Sequence, residues 1–472
     1  MSDNQVNDNN DNQEDLSDYS ISYDDEEDNG AEEDFDQNEN HFNRRREMNI
    51  RKYNANLMDF DLSEFRIPEE FPDSLREKFE IEQKFWEISE DSVEQLSNML
   101  LEFVKKSPSY QLFVIQIIDS VALAKPKLVK YLADVFSQVI DYLAIDSQLF
   151  WESYYLNDYL TKEGLNSHKT MNYGVVYQLE DDEYLYPKGS IQYFAVIDDL
   201  ESFQDEELKL SCSNEKEPLS FVENEDDLLC LAARFGSVRV FKYLIVSSKI
   251  EITQNTFICA VKGGNIEIVR YCLKHNHDPL ESMATAIHCN NYQLVEWMIN
   301  EYQILPLIYS PLERNTLKYF FPLLDRIRFC SRENIETAIY CAFKSGYDEI
   351  GMYLIKKYAT KNMNYDGIIN WMTVGQYKES IFEFLSLPIT KVIMEKYAWT
   401  FIYHIIENDC QHLLNDIMKY EVIQEHLYEI LSIAIYHKES LKILMDCGID
   451  LAKIYKDRYG ENILDVFTMS EE

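Results

Sequence analysis

Residues 74–160 carry hydrophobic side chains at the three- and four-residue spacing of helices with one apolar face. The stretch Ser92-Val93-Glu94-Gln95 has the spacing of a capping box, in which the Ser92 hydroxyl satisfies an unpaired backbone amide. One apolar face follows it, made of Leu96, Met99, Leu100, Phe103 and Val104. Pro108 and Pro126 interrupt the pattern. It predicts a bundle of four or five helices.

A second pattern repeats along the chain, because Leu231–Leu244 aligns without gaps with Cys259–Cys272. In four units an alanine is followed four residues later by a turn residue, and eleven residues later by an aromatic residue. The alanines are Ala232, Ala260, Ala286 and Ala342; the turn residues are Gly236, Gly264, Asn290 and Gly346; the aromatic residues are Tyr243, Tyr271, Trp297 and Tyr353.

Each position of this unit has a physical role. Alanine lets two helices approach closely, and glycine or asparagine accepts the left-handed conformation that ends a helix tightly. The aromatic residue belongs to an apolar stripe on the second helix, which a lone hairpin cannot bury. The pattern therefore predicts a solenoid of stacked helical hairpins, with the aromatic residues packed between repeats rather than forming a partner-binding ladder.

The repeat resembles the ankyrin repeat, through Leu231-Ala232-Ala233, Gly236, Phe241 and Leu244, and again through residues 457–464. The layout is also similar to large protozoan families in which a helical region of unknown function precedes divergent ankyrin repeats. This resemblance covers roughly residues 190–470 and implies a concave surface that binds another protein. Spacings of 26 to 28 residues are shorter than the usual ~33, so truncated β-hairpin fingers are expected.

Two further units are predicted, a half-strength first one at residues 198–203 and a late one at residues 439–450. The pattern gives no phase over residues 300–332 and 370–420. Pro311 and Pro322 fall where a regular unit would place a helix.

The acidic residues are concentrated at the start of the chain. Residues 1–43 hold sixteen of the 84 acidic residues and none of the 44 basic ones, so the remainder carries a net charge of −24. This composition predicts a disordered tail. The predicted organisation is all-α, with a disordered acidic tail (1–43), a linker (44–73), a helical bundle (74–160), an acidic linker (161–189) and a divergent ankyrin-repeat solenoid (190–472).

The whole chain has a net charge of −40, which argues against nucleic acid or an anionic membrane as a partner. The longest apolar stretch, Leu112–Ala124, contains Asp119 and is too short to span a membrane. Nine cysteines without a Cys-x-x-Cys pair favour reduced thiols. We expect a cytoplasmic protein, with the nucleus as the alternative because residues 44–52 form a basic island.

Candidate chemistry is sparse. Five residues are close enough in sequence to suggest a metal site, but two of them occupy repeat positions where small or apolar residues are expected. They are Cys272, His275, His277, His288 and Cys289. Gly263-Gly264-Asn265 lacks the context of a phosphate loop, and no catalytic signature occurs. We expect neither a metal nor a cofactor, and no small-molecule substrate.

These observations predict a non-catalytic scaffold that binds an unidentified protein partner on the concave face. Partner contacts are expected at positions just before each turn, namely Arg234, Phe235, Lys262, His288, Lys344 and Ser345, with Cys289 beside them. An alternative is an acidic chaperone or decoy for basic proteins, acting through residues 1–43. A hidden enzyme in residues 74–189 is a third hypothesis without a supporting motif. The sequence leaves the oligomeric state open.

Overall fold

The computed structural model describes residues 67–143, 153–162, 186–212, 228–248, 252–274, 279–302, 305–324, 330–408 and 410–426, with the single residues 327, 430, 442, 444 and 445. These residues belong to one compact unit, Asp59–Glu472, and they form helices and no strand. The protein is all-α. The predicted acidic tail, most of both linkers, the predicted late unit and residues 457–464 lie outside the described residues.

The N-terminal region forms the predicted bundle. Its helices are α1 (Asp73–Trp86), α2 (Val93–Val104), α3 (Ser109–Ala124), α4 (Val129–Val139) and α5 (Tyr154–Lys162). Helix α3 packs against the other four, and α2 also packs against α4. The apolar stripes meet in its core, where Leu75, Leu100, Ile118 and Leu132 are fully buried.

The start of α2 differs from the prediction. Helix α2 begins at Val93, but the Ser92 hydroxyl does not cap it. Instead, the Ser89 amide donates to Ser92 Oγ (2.9 Å), and the Ser92 hydroxyl donates back to the Ser89 carbonyl oxygen (2.9 Å). A short 3-10 helix, Glu90–Ser92, precedes α2, and the capping interaction belongs to the start of this 3-10 helix.

Within the described residues seven helical hairpins follow the bundle, and each has a residue with positive φ at its turn. They are α6 (Ile191–Val196) with α7 (Leu200–Cys212), α8 (Leu228–Phe235) with α9 (Val238–Ser248), α10 (Gln254–Gly263) with α11 (Ile266–Leu273), α12 (Pro279–His288) with α13 (Tyr292–Tyr302), α14 (Ser310–Glu313) with α15 (Phe320–Leu324), α16 (Arg332–Lys344) with α17 (Asp348–Tyr358), and α18 (Asp366–Val374) with α19 (Lys378–Ser386). Helices α20 (Pro388–Glu407), α21 (Leu414–Ile417) and α22 (Glu421–Gln424) end the described part.

The hairpins stack as a solenoid. The first helix of each hairpin packs against the first helix of the next, in an unbroken series from α6 through α18 to α20. We call these the inner helices. Among the second helices, α9 lies between α7 and α11, and α17 packs on α19. The predicted first unit at residues 198–203 is present as the α6–α7 hairpin.

The structure also phases the stretches that the sequence pattern left open. Asn315 (φ 53°) and Gln376 (φ 50°) are the turn residues of the α14–α15 and α18–α19 hairpins. Pro311 lies in the first turn of α14 and Pro322 in the first turn of α15, where the missing amide breaks no helical hydrogen bond. Both degenerate units are therefore hairpins; the inner helix of the first, α14, has only 4 residues, whereas α18 has 9.

Candidate functional site

The hairpin turns share one backbone geometry, which fixes where each neighbouring side chain lies. The turn residues with positive φ are Asp198, Gly236, Gly264, Asn290, Asn315, Gly346 and Gln376. In six of these turns, all but the one at Gly264, the next amide donates to the carbonyl oxygen five residues earlier, over 2.8 to 3.1 Å. This closure ends the inner helix and starts the outer one. The position two residues before each turn residue therefore recurs at the end of every inner helix.

That position holds most of the side chains for which the sequence predicted partner binding. Its occupants in five consecutive hairpins are Arg234, Lys262, His288, Glu313 and Lys344. Because consecutive inner helices pack on one another, these five residues form a continuous series, which we call the inner row. The equivalence of four of them was predicted; Glu313 comes from the α14–α15 hairpin, which the sequence could not phase.

Glu313 pairs with its neighbours in the inner row. His288 Nε2 lies 3.3 Å from Glu313 Oε2. The close approach of His288, together with the charges of Arg314 and Lys344, holds the pKa of Glu313 below its ordinary value although burial opposes this. The middle of the row thus combines one carboxylate with several cations.

The N-terminal bundle docks against the turns of the solenoid at Asn315. The Trp86 indole Nε1–H donates to the Asn315 carbonyl oxygen (2.8 Å), and the Ser120 hydroxyl donates to Asn315 Oδ1 (3.1 Å). Asn315 Nδ2 donates in turn to the Ser345 carbonyl oxygen (3.0 Å). Asn315 is fully buried. Its main-chain carbonyl holds α1, and its side chain joins α3 to the next turn.

The next turn, at Gly346, is equally close to the bundle. Gly346 has φ 87°, and a Cβ added there would lie 2.5 Å from Phe113 Cβ. The Phe113 ring makes an edge-to-face contact with the Tyr347 ring, with centroids 5.5 Å apart. The turn therefore needs a glycine both for its left-handed backbone and for the approach of α3.

Glu82 on α1 joins the bundle to two hairpins from a fully buried position. The Leu317 amide donates to Glu82 Oε1 (2.9 Å), and the Tyr347 hydroxyl donates to Oε2. Burial raises the pKa of Glu82 to about 8, because it outweighs these hydrogen bonds. The carboxyl group is thus held in its neutral form near neutral pH.

Lys78, one turn before Glu82, is also fully buried and bridges two carboxylates at the start of α17. Its ammonium group lies 2.8 Å from Asp348 Oδ1 and 2.8 Å from Glu349 Oε2. Burial alone would lower the pKa of Lys78, but the two negative charges outweigh it and hold that pKa above its ordinary value. The bundle also shares one hydrophobic core with the part of the solenoid that begins at Ile308.

The bundle also brings cations to the inner row. The connection between α3 and α4 carries Lys125 and Lys127, and the Lys127 ammonium lies 5.1 Å from the centroid of the Phe235 ring. Lys125 Nζ donates to the Trp86 carbonyl oxygen (3.1 Å). Neither lysine was predicted as a site residue. The contacts of Lys125 with Trp86 and of Lys127 with Phe235 join residues far apart in sequence, which leaves no local signal.

The pKa of Cys289 is affected by cations of the inner row and of the bundle. Burial raises the pKa of its thiol to about 11, while the charges of Lys262, Arg234, Lys125 and Arg314 act in the opposite direction. Four cations from three hairpins and the bundle therefore act electrostatically on one neutral thiol. Arg314 had one sequence signal, since it directly precedes Asn315, but that turn was not recognised.

The predicted site residues differ in how far they can reach a partner. Lys262, His288, Lys344 and Phe235 are half-buried, and Arg234 keeps 8% of its surface exposed. Ser345 is fully buried under the docked bundle, so its hydroxyl does not reach the surface. We therefore leave Ser345 out of the candidate surface.

Three of the four aromatic residues of the repeat contact a neighbouring repeat, as expected, and the fourth, Tyr353, contacts the N-terminal region instead. Tyr243 meets Phe203 (6.1 Å between centroids) and Tyr271 meets Phe241 (6.0 Å), each on the preceding outer helix. The guanidinium of Arg270 lies 5.3 Å from the Trp297 ring, and Tyr353 contacts Phe71 of the N-terminal region. These side chains serve stacking and docking.

The described residues contain no group of three or more His, Cys, Asp or Glu side chains placed to hold a metal. His275 and His277 lie outside the described residues. Burial raises the pKa of Cys272 and of Cys341 to about 12, so both are neutral thiols. In the part of the chain that the structure covers, no helix is long and apolar enough to cross a bilayer.

Comparison with known proteins gives one match. Residues 248–323 match a family model described as "Domain of unknown function (DUF3447)", a domain associated with ankyrin-repeat proteins. No curated protein and no solved structure matches the chain. The matched segment covers the hairpins from α10 to α15, so the chain is similar to that domain over three of its seven hairpins.

Proposed function

We propose that the protein is a non-catalytic scaffold, a divergent relative of ankyrin-repeat proteins, and that its inner row binds a protein partner. The observation that carries the proposal is the row itself. Arg234, Lys262, His288 and Lys344 recur at one structural position, in a chain whose net charge is −40. Helix stacking uses the small and apolar positions, which leaves this position for contacts with a partner.

The titratable groups in the buried network support a structural rather than a catalytic role. Lys78, Glu82 and Tyr347 have strongly shifted pKa values, and each is engaged by partners that join the bundle to the solenoid. None of these three side chains is exposed to a substrate. Perturbed pKa values here accompany structural hydrogen bonds and ion pairs.

We place this function in the cytoplasm, with the nucleus as the alternative. The seven cysteines whose side chains the structure describes are all free thiols, which fits a reducing compartment. The net charge of −40 argues against nucleic acid as the partner.

The experiment is quantitative capture of partners from a cell extract, using the wild-type chain and two variants. Arg234→Ser, Lys262→Ser and Lys344→Ser are combined in the first variant. The matched control combines Arg239→Ser, Lys274→Ser and Lys361→Ser, which removes the same charges from exposed positions outside the row. We expect the first variant to lose the partner and the control to keep it, with unchanged helical circular dichroism in both.

Capture that is equal in all three chains would place the binding surface elsewhere. Salt dependence addresses the alternative, an acidic chaperone acting through residues 1–43. Binding to that tail would collapse when salt is added and would be the same in all three chains.

A further inference from the structure

The connection between α3 and α4 lies against the same hairpin ends as the inner row. Lys127 is placed over Phe235, the last residue of α8, and Lys125 lies near Cys289, directly after α12. Two elements far apart in sequence therefore contribute cations to one region. We call this set, Lys125, Lys127, Arg234, Lys262 and Arg314, the composite cluster.

The helix dipoles explain only part of this arrangement. Arg234 and Lys262 lie in the last turns of α8 and α10, where a cation is favourable. Bringing Lys125 and Arg314 to the same place adds repulsion between like charges. Burial also takes Lys125 out of water and lowers its pKa. The carboxylates of Glu87, which acts on Lys125, and of Glu313, which interacts with Arg314, offset part of these costs, and a bound anion would offset more of them.

The charge of the whole protein restricts which anion fits. The chain outside the tail carries a net charge of −24. A long polyanion such as nucleic acid would extend past the cluster onto this acidic surface and be repelled. A short acidic segment can place its carboxylates on the cluster, and an apolar side chain beside them can contact Phe235, which is half-buried.

We propose that the composite cluster binds a short, extended acidic peptide, with the α3–α4 connection of the bundle forming one wall of the site and the inner row the other. This proposal rests on the proposed function, because it identifies the chemistry of the partner. It adds a role for the bundle, which supplies two of the five cations as well as bracing the turns.

The test measures binding of a fluorescein-labelled hexaglutamate peptide to the full chain by fluorescence anisotropy at low ionic strength. The variant Lys125→Met with Lys127→Met removes both charges and keeps most of the length of both side chains. The matched control, Lys105→Met with Lys106→Met, makes the same change at the opposite end of α3. That helix has 16 residues and is therefore about 24 Å long.

We expect the wild type and the control to bind hexaglutamate, and the Lys125/Lys127 variant to bind it at least about tenfold more weakly. The Arg234/Lys262/Lys344 variant should be weakened to a similar degree. Lys127→Met alone leaves the contact between Lys125 and Trp86 in place and keeps the test available if the double variant does not fold. A hexalysine peptide should not bind.

Three outcomes would overturn the proposal: no hexaglutamate binding by the wild type, binding unaffected by the Lys125/Lys127 change, or an oligothymidylate bound as tightly as the peptide. If the Lys125/Lys127 change has no effect but the inner-row variant loses hexaglutamate binding, the scaffold function remains supported and only the role of the bundle is rejected. If the inner-row variant loses partner capture but the wild type does not bind hexaglutamate, the acidic-peptide proposal is rejected and the scaffold function is retained.

Discussion

The ammonium group of Lys78 lies 2.8 Å from Oδ1 of Asp348, 270 residues further along the chain, and it is fully buried. The same group holds Glu349 Oε2 at 2.8 Å. This contact is part of a buried polar network that joins the N-terminal bundle to the fifth and sixth hairpins. Glu82 and Asn315 make further hydrogen bonds between the bundle and these hairpins. The network makes the bundle a structural component of the solenoid.

Lys78→Met should destabilise the protein by about 3 to 5 kcal/mol, because it leaves two carboxylates partly buried without their cation. Urea unfolding followed by circular dichroism measures this loss. The control is Lys106→Met, which removes a mostly exposed lysine that pairs with Glu77 and should leave stability nearly unchanged. Equal effects of the two changes would contradict the buried network.

Gly346→Ala should be more destabilising than Gly236→Ala, although both glycines have positive φ. At Gly236 the new methyl group would lie 3.6 Å from Asn265 Cβ, an ordinary contact, so only backbone strain of about 1 kcal/mol is expected. At Gly346 it would also collide with Phe113, which adds about 1 to 3 kcal/mol. Thermal unfolding compares the two variants, and similar melting temperatures would show that α3 does not approach this turn.

Stability should fall as pH rises from about 4.5 to about 8, through the contribution of Glu82. Above pH ~4.5 the unfolded carboxyl group releases its proton, whereas folded Glu82 keeps its proton up to about pH 8. The unfolded state therefore binds fewer protons in this window, and the free energy of unfolding decreases by up to about 1.4 kcal/mol per pH unit.

Glu82→Gln removes this titration. Urea unfolding of both proteins between pH 5 and 8 should show a shallower decrease for the variant, because other titratable groups contribute equally to both. Parallel profiles would mean that Glu82 is ionised in the folded protein.

Ala260→Asp should cost about 1 to 4 kcal/mol, since it places a charge at a fully buried position between stacked inner helices. Gln254→Asp is the control, because it adds the same charge at the first residue of α10, where the helix dipole favours it. Chemical unfolding measures both. Wild-type stability of Ala260→Asp would show that the repeat alignment is wrong at this unit.

The sequence by itself determined the local features of this protein. Helical periodicity and the Ala-to-Gly or Ala-to-Asn spacing predicted the hairpins with turns at Gly236, Gly264, Asn290 and Gly346, and all four have the expected positive φ. It also predicted that Arg234, Lys262, His288 and Lys344 are equivalent. These signals are local, because a left-handed turn and an amphipathic helix depend on residues within a few positions of one another.

Only the tertiary structure decided how the bundle and the hairpins are joined. The repeat pattern missed the turns at Asn315 and Gln376, because Pro311 and Met372 stand four residues earlier in place of alanine. The docking of α1 and α3 on Asn315 and Gly346 depends on contacts across about 200 to 270 residues. Such contacts leave no periodic signal, because packing and buried hydrogen bonds depend on three-dimensional proximity rather than on spacing along the chain.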